Sequence, residues 1–79
     1  MRQELNDALL ENVVGGTVRF NGTQMKVQFT VLGETWDVHG CSDTDAMSVI
    51  VDLYAKYKTK GNRAFETATK EAFQARGWI

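Results

Sequence analysis

Leu5-Asn6-Asp7-Ala8-Leu9-Leu10-Glu11-Asn12-Val13-Val14-Gly15-Gly16 is the stretch whose reading decides the fold. Leu5, Leu9 and Val13 recur at every fourth position with Leu10 beside them and polar or charged residues opposite, so the periodicity predicts an amphipathic helix over Gln3 to Val14. Two adjacent glycines carry a high entropic penalty in a helix, so that helix is expected to stop at Gly15-Gly16. The pair is also the one composition break in the chain. The sequence therefore divides into residues 1–16 and residues 17–79.

From Thr17 the period changes to two. Val18 and Phe20 alternate with Arg19, and Asn21-Gly22 then supplies a strong hairpin signal of the type I′ kind. In the next run Met25, Val27, Phe29 and Val31 share one face, with Gln24, Lys26, Gln28 and Thr30 on the other. Leu32-Gly33-Glu34 turns the chain again, and Trp36 and Val38 continue the inward row while Thr35 and Asp37 face out. Ser42 and Asp45 form a capping box for a helix with Ala46, Ile50, Leu53, Tyr54 and Tyr57 as its apolar stripe. Gly61 stops it, and Asn62 is expected to cap a second helix with Phe65, Ala68, Ala72 and Ala75 on one face, ending at Gly77. The expected fold class is α+β: a three-stranded antiparallel meander packed by two C-terminal helices, preceded by the N-terminal amphipathic helix.

Composition narrows the functional classes. Seventy-nine residues make one domain at most. A core of this size seldom supplies more than about 3 to 5 kcal/mol without a staple or a partner, which keeps homodimerisation open. A single cysteine, Cys41, excludes an intramolecular disulfide and a multi-thiolate zinc site, leaving pairing between molecules as the remaining disulfide. Net charge is −1, and the acidity is concentrated in the first segment, where Arg2 faces Glu4, Asp7 and Glu11. No apolar run is long enough to span a membrane, and no Sec-type signal is present.

Asp37, His39 and Cys41 alternate and invite a thiol catalyst. Neighbours two apart on a strand are, however, separated by roughly 6.6 Å, beyond the about 2.6 to 3.2 Å that activation of a nucleophile requires. Cys41 also directly precedes a helix start, a position that lowers a thiol pKa. His39 and Cys41 alone are too few for a metal. The expectation is no enzyme, no cofactor and no metal. Lys56, Lys58, Lys60 and Arg63 read as a solvated helix end. The order helix, three strands, helix is similar to that of double-stranded RNA-binding domains, which place a lysine cluster at the helix start after the sheet. Here Ser42-Asp43-Thr44-Asp45 stands there, and nucleic acid is disfavoured as a partner. Trp78-Ile79 at the chain end either folds back over the core or serves as a sticky tag.

Leu5, Leu10 and Val13 ahead of Gly15-Gly16 resemble the double-glycine leader of bacteriocin-type precursors, which are cut and exported by ABC transporters carrying a cysteine-peptidase domain. One position departs from the family pattern, because Leu9 stands where an acidic residue is usual before the second anchor. The resemblance implies a leader over 1–16 and a mature domain over 17–79. Leu5, Leu10 and Val13 would dock in the peptidase groove, Gly15 and Gly16 would form the cleavage signal, and the cut would fall after Gly16. It further implies a secreted, bacteriocin-like or signalling product with an extracellular target. The alternative, from another class, is an unprocessed intracellular interaction or regulatory module in which the first helix belongs to the fold.

Overall fold

The computed structural model describes residues 11–79. Four strands form one antiparallel sheet in the order β1 (Glu11–Val14), β2 (Val18–Asn21), β3 (Lys26–Phe29) and β4 (Glu34–Asp37). Two helices follow, α1 (Asp43–Tyr57) and α2 (Asn62–Ala75). The expected three-stranded meander with an N-terminal helix is thus corrected: residues 11–14, assigned to the end of that helix, are a strand paired with β2 from Glu11↔Asn21 to Val14↔Val18. The remainder of the expected helix lies outside the described residues. The reason for the difference is local. A valine pair beside two glycines forms a hairpin arm at least as readily as a helix end, because β-branched residues lose rotamer freedom in a helix and pack well on a pleated surface.

The inward face of the sheet and the helices share one core. Val18, Phe20, Val27 and Phe29 are fully buried against Ala46, Ile50, Phe65 and Phe73, and Val38 joins them. Alternation along β2 and β3 places Arg19 and Gln28 on the wet face, as a period of two requires. Val31, expected inward, is 42% exposed, because β3 ends at Phe29 and the chain is already turning.

The Asn21-Gly22 turn is also not the expected two-residue type. Asn21 pairs with Lys26, leaving four residues between them. The Asn21 Oδ1 accepts from the backbone N–H of Thr23 and of Gln24, each at 3.0 Å, and Met25 takes the left-handed φ of 55°. An asparagine side chain that captures its own following backbone builds an Asx turn, which competes with the tighter hairpin.

Ser42 caps α1 as expected, its Oγ accepting from Asp45 N–H at 3.1 Å. The α2 start differs: Gly61 occupies the cap position with φ 97°, there is no side-chain cap, and Asn62 is already helical. The buried face of α2 is Phe65, Glu66, Thr69 and Phe73, while Ala75 is exposed, so the alanine stripe is not the packed one. At its end Gly77 N–H donates to Gln74 O at 3.0 Å and Trp78 N–H to Phe73 O at 2.9 Å. That double bond is a Schellman motif, with its hydrophobic contact supplied by Trp78 edge-on to Phe73 at 5.2 Å. Trp78 O then accepts from His39 N–H at 2.9 Å. The chain end folds back and closes the core, which resolves the two readings of Trp78-Ile79.

Candidate functional site

The glycine pair is the turn between β1 and β2. Val14 O accepts from Thr17 N–H at 3.3 Å, and the two residues between have φ of 65° at Gly15 and 75° at Gly16. Two consecutive positive φ values are the sign pattern of a type I′ turn, whose twist matches that of paired strands and which strongly favours glycine. The two glycines differ in what surrounds them. A Cβ on Gly15 would lie 2.7 Å from Tyr54 Cε1 and 3.5 Å from Phe65 Cε2, whereas one on Gly16 would meet nothing within 4 Å. Tyr54 and Phe65 are themselves packed edge to face at 5.5 Å, so the backbone at Gly15 rests on an aromatic pair contributed by both helices.

Of the residues expected to carry leader recognition, Val13 is on β1, opposite Arg19 and 48% exposed. Its neighbour Val14 faces inward and packs against the core. The hairpin brings Val13, Gly15 and Gly16 together; Leu5 and Leu10 lie outside the described residues. Val13 is therefore placed by strand alternation on the wet sheet face and not by a helical stripe.

Glu66, which the sequence reading passed over, is the most consequential polar residue at this end of the molecule. It is fully buried on α2. Thr17 Oγ1 donates to its Oε2, Val31 N–H donates to Oε2 at 3.0 Å, and Leu32 N–H donates to Oε1 at 2.9 Å. One carboxylate thus ties α2 to the residue after the glycine pair and to the β3–β4 turn. Thr17 O accepts in turn from Thr30 N–H at 3.2 Å and Thr30 Oγ1 at 2.7 Å. Donors in tight turns are costly to bury unpaired, and this one carboxylate satisfies two backbone N–H groups and a hydroxyl at once. Among the described residues no buried side-chain N or O lacks a partner. The available signal in the sequence was position: Glu66 falls on the same helical face as Phe65, Thr69 and Phe73.

The sheet face that the two helices leave uncovered carries a shallow hollow of about 170 Å³ lined by Arg19, Asn21, Gln24, Lys26, Val27, Gln28 and Thr35. Lys26 pairs across the ladder with Asp37 at 3.0 Å. On the opposite side of β4, Glu34 bonds Lys70 of α2 at 2.8 Å and accepts from Trp36 Nε1 at 3.0 Å. The Lys70 bond first, and the Trp36 bond second, hold the Glu34 carboxyl below its ordinary value.

The alternating Asp37, His39 and Cys41 are not on one strand, because β4 ends at Asp37. Partial burial, and then the charge of Asp45, push the Cys41 thiol up. This reverses the lowering expected from its place before a helix, since loss of water around the thiol, and secondarily the nearby carboxylate, disfavours the thiolate. Among the described residues no group of three or more His, Cys, Asp or Glu side chains could hold a metal ion, and no helix there is long and apolar enough to cross a membrane. No protein-family model matches the chain, and neither a curated protein nor a solved structure matches it.

Proposed function

We propose that this chain works uncut, as a small α+β interaction module in which β1 and the glycine pair belong to the working fold. The observation that carries this reading is the seat of Gly15 against Tyr54 and Phe65, with both glycines at φ values that only glycine takes readily. Such a pair has a complete structural reason to be glycine without any protease. A cut after Gly16 would remove β1, leaving β2 as an open edge with a row of unpaired backbone groups. It would also detach Val14 from the core and cut the chain directly before Thr17, the residue that Glu66 holds. The surface assigned to a partner is the sheet face that the helices leave uncovered, polar and built on regular strands around Arg19, Gln28 and Thr35.

The test is incubation of the full chain with a double-glycine peptidase domain, with product masses measured beside a peptide substrate of that peptidase. The expected result is an intact chain while the control peptide is cut. A fragment beginning at Thr17, abolished by Gly16→Leu, would overturn the reading. It would establish instead an exported precursor with Leu5, Leu10 and Val13 as anchors, an ABC exporter peptidase as partner and a secreted bacteriocin-like or signalling product.

A further inference from the structure

Two sides of helix α1 are covered. Ala46 and Ile50 are buried in the core under the sheet, and Val49, Leu53 and Lys56 share a hollow with Ala72 and Arg76 of α2. The third side begins as a shallow groove of about 450 Å³ lined by Asp43, Thr44, Met47, Ser48 and Val51, all from α1 itself. Val51 is 49% exposed there and Met47 is half-buried. Ala55 and Lys58, both exposed, continue the same line. Thr44, Ser48, Val51, Ala55 and Lys58 follow one another at steps of four, three, four and three residues, the spacing of a seam along which a second helix can lie. The charges are sorted by end: Asp43 and Asp45 stand in the first turn, Lys56 in the last, and Lys58 at the cap. Among the described residues Lys58 has no ion-pair partner.

We infer that this side of α1 docks a second copy of the chain, the two α1 helices packing antiparallel about a two-fold axis at Val51. Charge decides the occupant and its direction. A helix acidic at one end and basic at the other complements a reversed copy of itself, whereas a parallel copy sets Asp43 against Asp43 and Lys58 against Lys58. The axis falls at Val51 because that residue lies midway between the two ends of the seam. Along the helix Asp43 is about 12 Å to one side of Val51 and Lys58 about 10.5 Å to the other. Reversal therefore brings each Asp43 nearly level with Lys58 of the other copy, within reach of a lysine stem. The same reversal sets the bulky, adaptable Met47 against Ala55, where a small side chain leaves room for it. Val51 meets its own mate, so the most exposed large hydrophobic residue among those described is covered. The pair is closed, since each copy uses its only such face on the other. One helix face is smaller than the about 800 Å² per partner of a standard interface, so a weak dimer is expected, dissociating at roughly 10 µM to 1 mM.

The test is sedimentation equilibrium of the full chain up to about 1 mM, at low and at high salt. A monomer–dimer equilibrium that salt weakens is expected. Val51→Asp, which sets two carboxylates together on the axis, is expected to raise the dissociation constant at least about tenfold; the exposed position leaves the folded monomer intact by circular dichroism. Lys58→Glu is expected to weaken the dimer, and adding Asp43→Lys in the same chain to restore it. Crosslinking gives a reading that does not depend on affinity. In a Cys41→Ala background, oxidation of Val51→Cys is expected to yield a disulfide-linked dimer, and Ser48→Cys, about 9 Å from its mate along the axis, is not. A chain that stays monomeric at about 1 mM overturns the inference. So does a dimer that Val51→Asp leaves unchanged, which would place the contact elsewhere, and so does a charge swap that restores nothing. The face lies wholly within α1, so cleavage after Gly16 is read separately and neither result decides the other.

Discussion

The two ends of the sheet are built on different principles. At one end the glycine-pair turn and the β3–β4 turn are pinned from outside, by Tyr54 and Phe65 under Gly15 and by Glu66 holding Thr17, Val31 and Leu32. At the other, the β2–β3 loop is held by its own asparagine, with Asn21 Oδ1 capturing the N–H groups of Thr23 and Gln24. The first end is held mainly by tertiary contacts and the second mainly by its own Asx turn, with Gly22 against Asp43 of α1 and Val38 N–H donating to Met25 O at 2.8 Å as its outside contacts. Perturbing the first should therefore unsettle the whole molecule, and perturbing the second only the loop.

The largest effect is expected at Gly15. Gly15→Ala forces a left-handed alanine and drives a methyl into Tyr54, a combined cost of about 3 kcal/mol, whereas Gly16→Ala, with the same φ and open space, costs about 1 kcal/mol. Urea denaturation of both variants measures the gap, and Tyr54→Ala should narrow it. Equal losses in the two would mean that the aromatic seat contributes nothing. Next comes Glu66→Gln, whose amide presents donors where the carboxylate accepted; leaving buried N–H or hydroxyl groups unpaired costs about 2 kcal/mol by the same measurement. Asn21→Ala, at the local end, is expected to lower stability by only about 0.5 to 1 kcal/mol, with chemical-shift changes confined to the loop.

The smallest effect concerns Glu34. Its carboxyl is held below the ordinary value chiefly by Lys70, so it contributes stability that is present above the ordinary carboxylate range and lost as pH falls through the folded-state value. The pair is partly solvent-exposed, which keeps the contribution small. An NMR titration of Glu34 should show a depressed midpoint that moves up in Lys70→Met; an unmoved midpoint would remove the pair from the account.

The same contrast explains what could be read from the sequence. Where structure follows from strand and helix periods, the reading succeeded: the alternation through Val18, Phe20, Val27 and Phe29, the Ser42 cap, the Ala46 and Ile50 face, and the inward Trp36 and Val38; at the Asn21-Gly22 turn and the α2 start it did not, because an Asx turn replaces the two-residue hairpin and Gly61 takes the cap position. Where structure is tertiary, it failed. Val13 fits a helical stripe with Leu5 and Leu9 as well as it fits a strand, and only the neighbouring β2 and the aromatic pair beneath Gly15 decide between them. Glu66 shares a helical face with Phe65, Thr69 and Phe73, but its role is fixed only by the turns it satisfies, which come from distant parts of the chain. For the candidate site, Gly15 and Gly16 were identified as special, but their seat on Tyr54 depends on a contact across 39 residues.

The most direct test of the central claim, that β1 belongs to the working fold, is native-state hydrogen exchange of the full chain resolved to the peptides covering 11–21 and 26–37. The account predicts that the bonded amides of both hairpins open together, in one cooperative unit with the core. Unprotected exchange over 11–14 while 18–37 stays protected would contradict it, and would return the glycine pair to the role of a junction between a tag and a domain.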